Sequence, residues 1–293
     1  MRITNRIILD RSLGAIGRGL EDMARLQRQI ATGSLHESLS DAGLDGRAIL
    51  AIDSDLLAAG QYTRNLEAAR ARLAVSDATL DTVTGILGRA REIAIQQGGA
   101  PANADTRAAA QAEVQELKGA VVQLANRRVN GSFVFGGVYA DRAPLDASGA
   151  LDAAFPGRGA PNFEIGAGVY TEAAHDAGQM FIDSDVIGAL DALDAALAAN
   201  DGPAVLAAGD RLRDAVSSTQ DLVADVGARQ IRLDMAQEGQ EIVSQGLRAR
   251  RSTLADTSFE EAVTRLASRE TSYQATLLTT SRLLESSLVN YLR

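Results

Sequence analysis

Apolar residues recur at steps of three and four at both ends of the chain. Near the front, Leu13, Ile16, Leu20, Met23, Leu26 and Ile30 fall on one helical face. Near the back, Phe259, Val263, Leu266, Glu270, Tyr273, Leu277, Thr280, Leu284, Ser287 and Tyr291 alternate steps of four and three without a break. With 3.6 residues per turn, such steps form a stripe repeating every seven residues, the spacing that lets two helices interlock along a seam. Both termini are expected to be coiled-coil helices that need partners. Leu278, Leu283 and Leu288 flank the rear seam, so one partner helix leaves apolar surface bare and several neighbours are expected to share it. The polar members Glu270 and Thr280 are expected to mark the register, because an unpaired polar group at a seam penalises slipped alignments.

A third stripe, Leu66, Ala69, Leu73, Ser76, Leu80, Val83, Leu87, Ala90 and Ala94, predicts a long helix that stops at Gly98-Gly99-Ala100-Pro101. Another helix is expected from Thr106 to Arg128, with Val114, Leu117, Val121 and Leu124 on one face. Helix pattern then vanishes from Val129 to Ile182, where Gly, Pro, Asp and aromatics gather. Ser132 to Phe135, Phe163 to Ile165 and Gln179 to Ile182 read there as short strands. Helices resume from Asp183 to Asn200, with Ser184 or Asp185 as cap, pause at Asp201-Gly202-Pro203, and run from Ala204 to Arg251. The expected fold is mainly α: an elongated, folded-back helical rod with paired terminal coiled-coil helices and a small β-rich insert domain. Residues 1–45 and 253–293 would form the terminal coiled-coil assembly domain, 46–128 and 183–252 the helical rod, and 129–182 the insert.

Composition sharpens this picture. Aromatics make up only 4% of the 293 residues and Trp is absent, so the core must be built from small aliphatic side chains. A net charge of −9 argues against binding nucleic acid or an anionic membrane through a basic field. Having no Cys removes disulfides, thiolate nucleophiles and zinc-thiolate sites. The apolar run Ile7-Ile8-Leu9, broken by Asp10 and Arg11, is too short for a signal-peptide core. No stretch reaches the roughly 18 apolar residues of a membrane span. The residues by themselves imply a cytoplasmic chain, unless a route that leaves no cleaved signal exports it.

Candidate chemistry is sparse. His36 reads as a solvated loop residue, and His175, beside Asp176, could pair with a carboxylate but has no second His or Cys near it for a metal site. Asp41, Asp45, Asp183 and Asp185 fit helix caps and loops better than acid-base pairs or calcium ligands. Gly131, Gly136 and Gly137 lack a phosphate-cradling spacing. Arg248, Arg250 and Arg251, late in a helix, suit the negative end of its dipole. No nucleophile, base and orienting group stand in a recognisable spacing, so the reading is non-enzymatic, without catalytic, cofactor or metal residues.

Several motifs resemble the flagellin superfamily. Gln29-Ile30-Ala31-Thr32-Gly33-Ser34 and Ser40-Asp41-Ala42-Gly43, ahead of Ala48-Ile49, resemble its front turn and acidic cluster. Arg91-Glu92-Ile93-Ala94-Ile95-Gln96 resembles the end of its long helix, and this is the most specific piece. Asp256-Thr257-Ser258-Phe259-Glu260-Glu261-Ala262 is similar to its Asp-x-x-Phe-x-x-Ala opening, and Val289-Asn290-Tyr291-Leu292-Arg293 to its apolar finish. Val129 to Gly137, with Ala143-Pro144-Leu145, resembles the hook-filament junction branch, although Leu145 stands where that branch has Phe.

The resemblance implies a structural subunit that pairs its terminal stripes inside an assembled layer. It also implies self-association in a ring or helical layer, contacts with flagellin and a neighbouring hook-associated protein, and an export chaperone. The location implied is extracellular, at the hook-filament junction, reached by type III export without a cleaved signal. No nucleic acid and no membrane insertion are expected. A filament-forming flagellin and an unrelated cytoplasmic helical bundle are the alternatives.

Overall fold

The structure is a computed structural model that describes all residues except 1, 39, 100–101, 130, 152–158 and 292–293. For residues 2–6, 8–9 and 283–291 it describes the backbone alone. Six α-helices are described: α1 (Arg2–Thr32), α2 (Gly43–Gly98), α3 (Ala104–Ala125), α4 (Val186–Ala198), α5 (Gly202–Ala255) and α6 (Phe259–Tyr291). Between α3 and α4 lie β1 (Arg128–Val129), β2 (Ser132–Phe133), β3 (Asn162–Gly166), β4 (Val169–Glu172) and a π-helical turn, Gly178–Asp183. The chain divides into two compact units, Met1–Ala58 with Val243–Arg293, and Ala59–Ile242. Both α2 and α5 contribute residues to each.

The unit Ala59–Ile242 holds the core. All nine positions of the third stripe, Leu66 through Ala94, are 1% exposed or less, because α3, α4 and α5 bring Val114, Val121, Leu190, Leu193, Leu212 and Leu233 against them. Ser76 keeps its place in this apolar seam by donating its hydroxyl to the Arg72 carbonyl at 3.2 Å. Polar pairs flank the seam: Arg70 of α2 bonds Asp234 and Gln237 of α5, and Arg89 bonds Glu113 of α3 at 2.7 Å.

Helix ends follow local chemistry more closely than periodicity. A reciprocal bond between Asn103 and Thr106 opens α3 as a capping box. It closes at Ala125, short of the expected Arg128, because Asn126 turns its amide onto both the amide and carbonyl of Leu145, at 3.1 and 2.8 Å, and Arg128 enters β1. The expected cap of α4 is absent. Asp185 is the residue before the helix, but it sits at φ 62° and gives its carboxylate to Arg211, while the Ser184 hydroxyl donates to the Met180 carbonyl at 2.6 Å. Asp201-Gly202-Pro203 begins α5 rather than interrupting it. Asp201 accepts the Ala204 amide at 3.0 Å, and Pro203 fits a first turn, where an N–H has no helical partner.

The segment between α3 and α4 is less strand-like than its composition suggests. β1 pairs antiparallel with β2 around Gly131 at φ 81°, and β3 with β4 around Gly168 at φ 70°. Both turns need a positive φ, which glycine adopts without Cβ strain. β4 was not anticipated, since its Val169 and Tyr170 are both exposed. The expected strand at Gln179 to Ile182 is the π-helical turn. Asp176, fully buried, accepts the Gln179 amide on its side chain at 2.8 Å and the Met180 amide on its carbonyl at 3.0 Å, so those donors are already used. Met180 and Phe181 both point inward, which a strand's alternation forbids, and Phe181 meets Phe135 edge to face at 5.7 Å.

The paired terminal helices as a candidate assembly surface

Within the unit Met1–Ala58 with Val243–Arg293, α1 packs against α6. The sequence builds the connection in steps. Gly33 ends α1 at φ 70°, its amide reaching back to the Gln29 carbonyl at 2.8 Å, a left-handed closure open to glycine. Ser34 then bridges Asp256 antiparallel; Leu35 donates to the Ala255 carbonyl at 2.7 Å and Thr257 to the Gly33 carbonyl at 2.8 Å. Alongside, Gln29 bonds the Leu35 carbonyl at 2.7 Å and Arg251 meets Asp53 at 2.5 Å. This clasp sends α1 and α6 away from one point side by side, with opposite chain directions.

One partner covers each terminal stripe only in part. On α1, Leu26 is buried, Ile16, Met23 and Ile30 are half-buried, and Leu13 and Leu20 are 54% and 48% exposed. On α6, Leu266 and Tyr273 are half-buried while Phe259, Val263 and Leu277 are exposed; Leu278, off the seam, is 62% exposed. Leu284, Leu288 and Tyr291 have side chains outside the described residues, as does Leu283. The contrast with the sealed stripe of α2 shows that identical periodicity serves two environments.

Glu270 and Thr280 do not mark the register in the expected way. Glu270 is solvated, and Thr280, though buried, donates its hydroxyl to the Thr276 carbonyl at 2.7 Å within its own helix. That bond survives any slip.

The histidines are also reassigned. His36 is half-buried beneath the clasp, its Nε2 without a partner among the described residues, in a hollow of about 270 Å³ with Arg251, Asp53 and Ile49. His175, 6% exposed, donates or accepts through Nε2 with Asp225 of α5 at 2.8 Å rather than with adjacent Asp176. Asp225 also takes Arg229 Nε at 2.6 Å, and Arg229 reaches Glu172 of β4 at 3.3 Å. Among the described residues no cluster of His and carboxylates could hold a metal ion, and no helix is long and apolar enough to cross a membrane.

Burial, then the Arg229 cation, holds His175 below its ordinary value near 6.5, against the opposing pull of Asp225 and Asp176. The unfolded chain therefore binds the proton more readily. His175 contributes stability that is complete above pH 6.5 and is lost as pH falls below it. Between pH 8 and pH 5.5, the urea midpoint should drop further for the native chain than for His175→Gln. Equal drops would show that His175 does not govern the effect.

Comparison with known proteins agrees with this architecture. Residues 10–140 match the family described as the bacterial flagellin N-terminal helical region. The flagellar hook-associated protein 3 of Salmonella typhimurium is 22% identical over 147 residues, 50% of this chain and 46% of that protein, so the chain spans about half the length of this curated relative. Two solved structures share the fold. Bacillus cereus FlgL has a TM-score of 0.57 at 20% identity, covering 68% of this chain and 97% of that one. The hook-associated protein 3 of Legionella pneumophila has a TM-score of 0.62 at 13% identity, covering 70% and 98%.

The front part of the chain, residues 10–140, thus carries the flagellin N-terminal pattern. Its fold is FlgL-like, and half of it is similar in sequence to hook-associated protein 3.

Proposed function

We propose that this chain is a structural, non-catalytic subunit of the bacterial flagellum that joins the hook-associated layer to the flagellin filament, as a FlgL-type junction protein. The supporting observation is the uncovered apolar surface on the terminal helix pair: Leu13, Leu20, Phe259, Val263, Leu277 and Leu278 face solvent in the single chain. Burying a Leu side chain is worth on the order of 1.5 to 3 kcal/mol, so a few such positions can offset the ordering cost of association. Residues 1–45 and 253–293 act as the assembly domain. The partners are further copies in a ring or helical layer, flagellin, and the adjoining hook-associated protein, with an export chaperone before secretion without a cleaved signal.

Limited proteolysis of the purified monomer, with mass mapping and electron microscopy of the intact protein, tests this. The expected result is preferential loss of the terminal segments from a resistant fragment around 59–242, with no filaments. Long homopolymers would make the chain a filament flagellin. Termini as resistant as the core would point to an ordinary helical bundle.

A further inference from the structure

The hollow between the π-helical turn and α5 is lined mainly by hydrogen-bond acceptors. It measures about 410 Å³ and lies within the unit Ala59–Ile242. On α5, Ser218, Leu222, Asp225 and Arg229 follow one another at steps of four, three and four and so share one face, with Asp221 beside them. The other wall carries His175 and Ser184, nearly sealed from solvent at 6% and 5% exposed.

The protons and the positive charge on these walls are committed elsewhere. An ionised carboxylate only accepts, so the 2.8 Å bond between Asp225 and His175 puts the imidazole proton on Nε2. The neutral ring then carries a lone pair on Nδ1, and that buried nitrogen has no partner among the described residues. The Ser184 hydroxyl donates to the Met180 carbonyl at 2.6 Å and the Ser218 hydroxyl to the Asp214 carbonyl at 3.2 Å, so both oxygens are left with lone pairs. Asp221, exposed, adds a carboxylate. The lining cation, Arg229, is held by Asp225 at 2.6 Å and by Glu172 at 3.3 Å. A buried acceptor without a donor is costly, and an incoming donor removes that cost.

We infer that this hollow binds a cationic donor group, a guanidinium or an ammonium, through His175, the hydroxyl oxygens of Ser184 and Ser218, and the Asp221 carboxylate. A guanidinium suits it better, because its five N–H groups can serve four acceptors whereas an ammonium has three. Leu222 supplies an apolar wall for the methylene stem that carries the charge. The group belongs either to a small free molecule or to an arginine side chain of another protein, since both present the same plane of donors. The site depends neither on the terminal helices nor on the assembly function proposed above.

The chain has two histidines, so their ring signals in an NMR spectrum of the full-length protein are assigned by comparison with His175→Gln. Agmatine, a guanidinium on a short stem, is the first probe, at neutral pH and millimolar concentration. It should shift the His175 signal saturably and leave that of His36 in place. Asp221→Asn, at an exposed position that the fold does not need, should weaken binding by about tenfold, the usual worth of a charge-assisted hydrogen bond. A blocked glycyl-arginyl-glycine tripeptide separates the two sources: tighter binding of agmatine assigns a free ligand, and tighter binding of the peptide assigns a side chain on a partner. No shift with either probe, an equal shift with inorganic phosphate, or undiminished binding by Asp221→Asn overturns the site. Failure of the chain to incorporate into flagella would remove the assembly function and leave this site standing.

Discussion

Leu80→Ala should lower the free energy of unfolding by about 3 kcal/mol, the usual cost of truncating a Leu with no room to relax. Leu20→Ser should change it by less than about 1 kcal/mol, as expected for a side chain already half in water. Both positions belong to heptad stripes, but Leu80 is fully buried and Leu20 is 48% exposed. Chemical unfolding followed by circular dichroism separates them. Association should rank the two in reverse: Leu13→Ser with Leu20→Ser and Leu277→Ser should abolish incorporation into the flagellum while the monomer stays folded. A triple variant that still incorporates would remove these stripes from the interface.

Arg107→Met is expected to be nearly as damaging as Leu80→Ala, at about 2 to 4 kcal/mol. Arg107 is 9% exposed, and its guanidinium donates to three acceptors: the Gln97 carbonyl at 3.0 Å, the Asn200 carbonyl at 3.1 Å and the Asn200 side chain at 2.6 Å. Gln97 is next to last in α2, and Asn200 lies just past the end of α4. One cation from the first turn of α3 thus serves the negative ends of two other helices, where orphan carbonyls gather. Methionine keeps most of the stem but none of the donors, so the carbonyls lose their partner. Lysine keeps the charge but cannot fork between two helix ends, and should recover less than half of the loss. Full recovery with lysine would show that charge alone matters there.

The long helices were legible because their apolar positions repeat over many turns. The α2 stripe from Leu66 to Ala94 is buried at every position that its period selects. Periodicity says which face is apolar, however, and not what covers it. Leu80 and Leu20 look alike in sequence and differ completely in exposure. The segment between α3 and α4 was less legible because its backbone is arranged by polar side chains acting at a distance. Asn126 pins Leu145, and Asp176 takes the amides of Gly159 and Gln179. The turn at Gly178–Asp183 has the composition of a strand and is wound by one buried carboxylate.

Arg107 could not have been foreseen, since its acceptors lie 10 and 93 residues away.

The clasp at Ser34 and Asp256 also bears on the order in which the chain folds. It closes a loop of 222 residues (256 minus 34), and the entropy of bringing loop ends together falls by about 0.6 kcal/mol for each halving of the loop. Arg70 with Asp234 ties positions inside that loop, so if such inner contacts form first they shorten the path that the clasp must close. The clasp and the helix pair beyond it are therefore expected to form late. A chain delivered N-terminus first would carry α1 without its partner until α6 arrived.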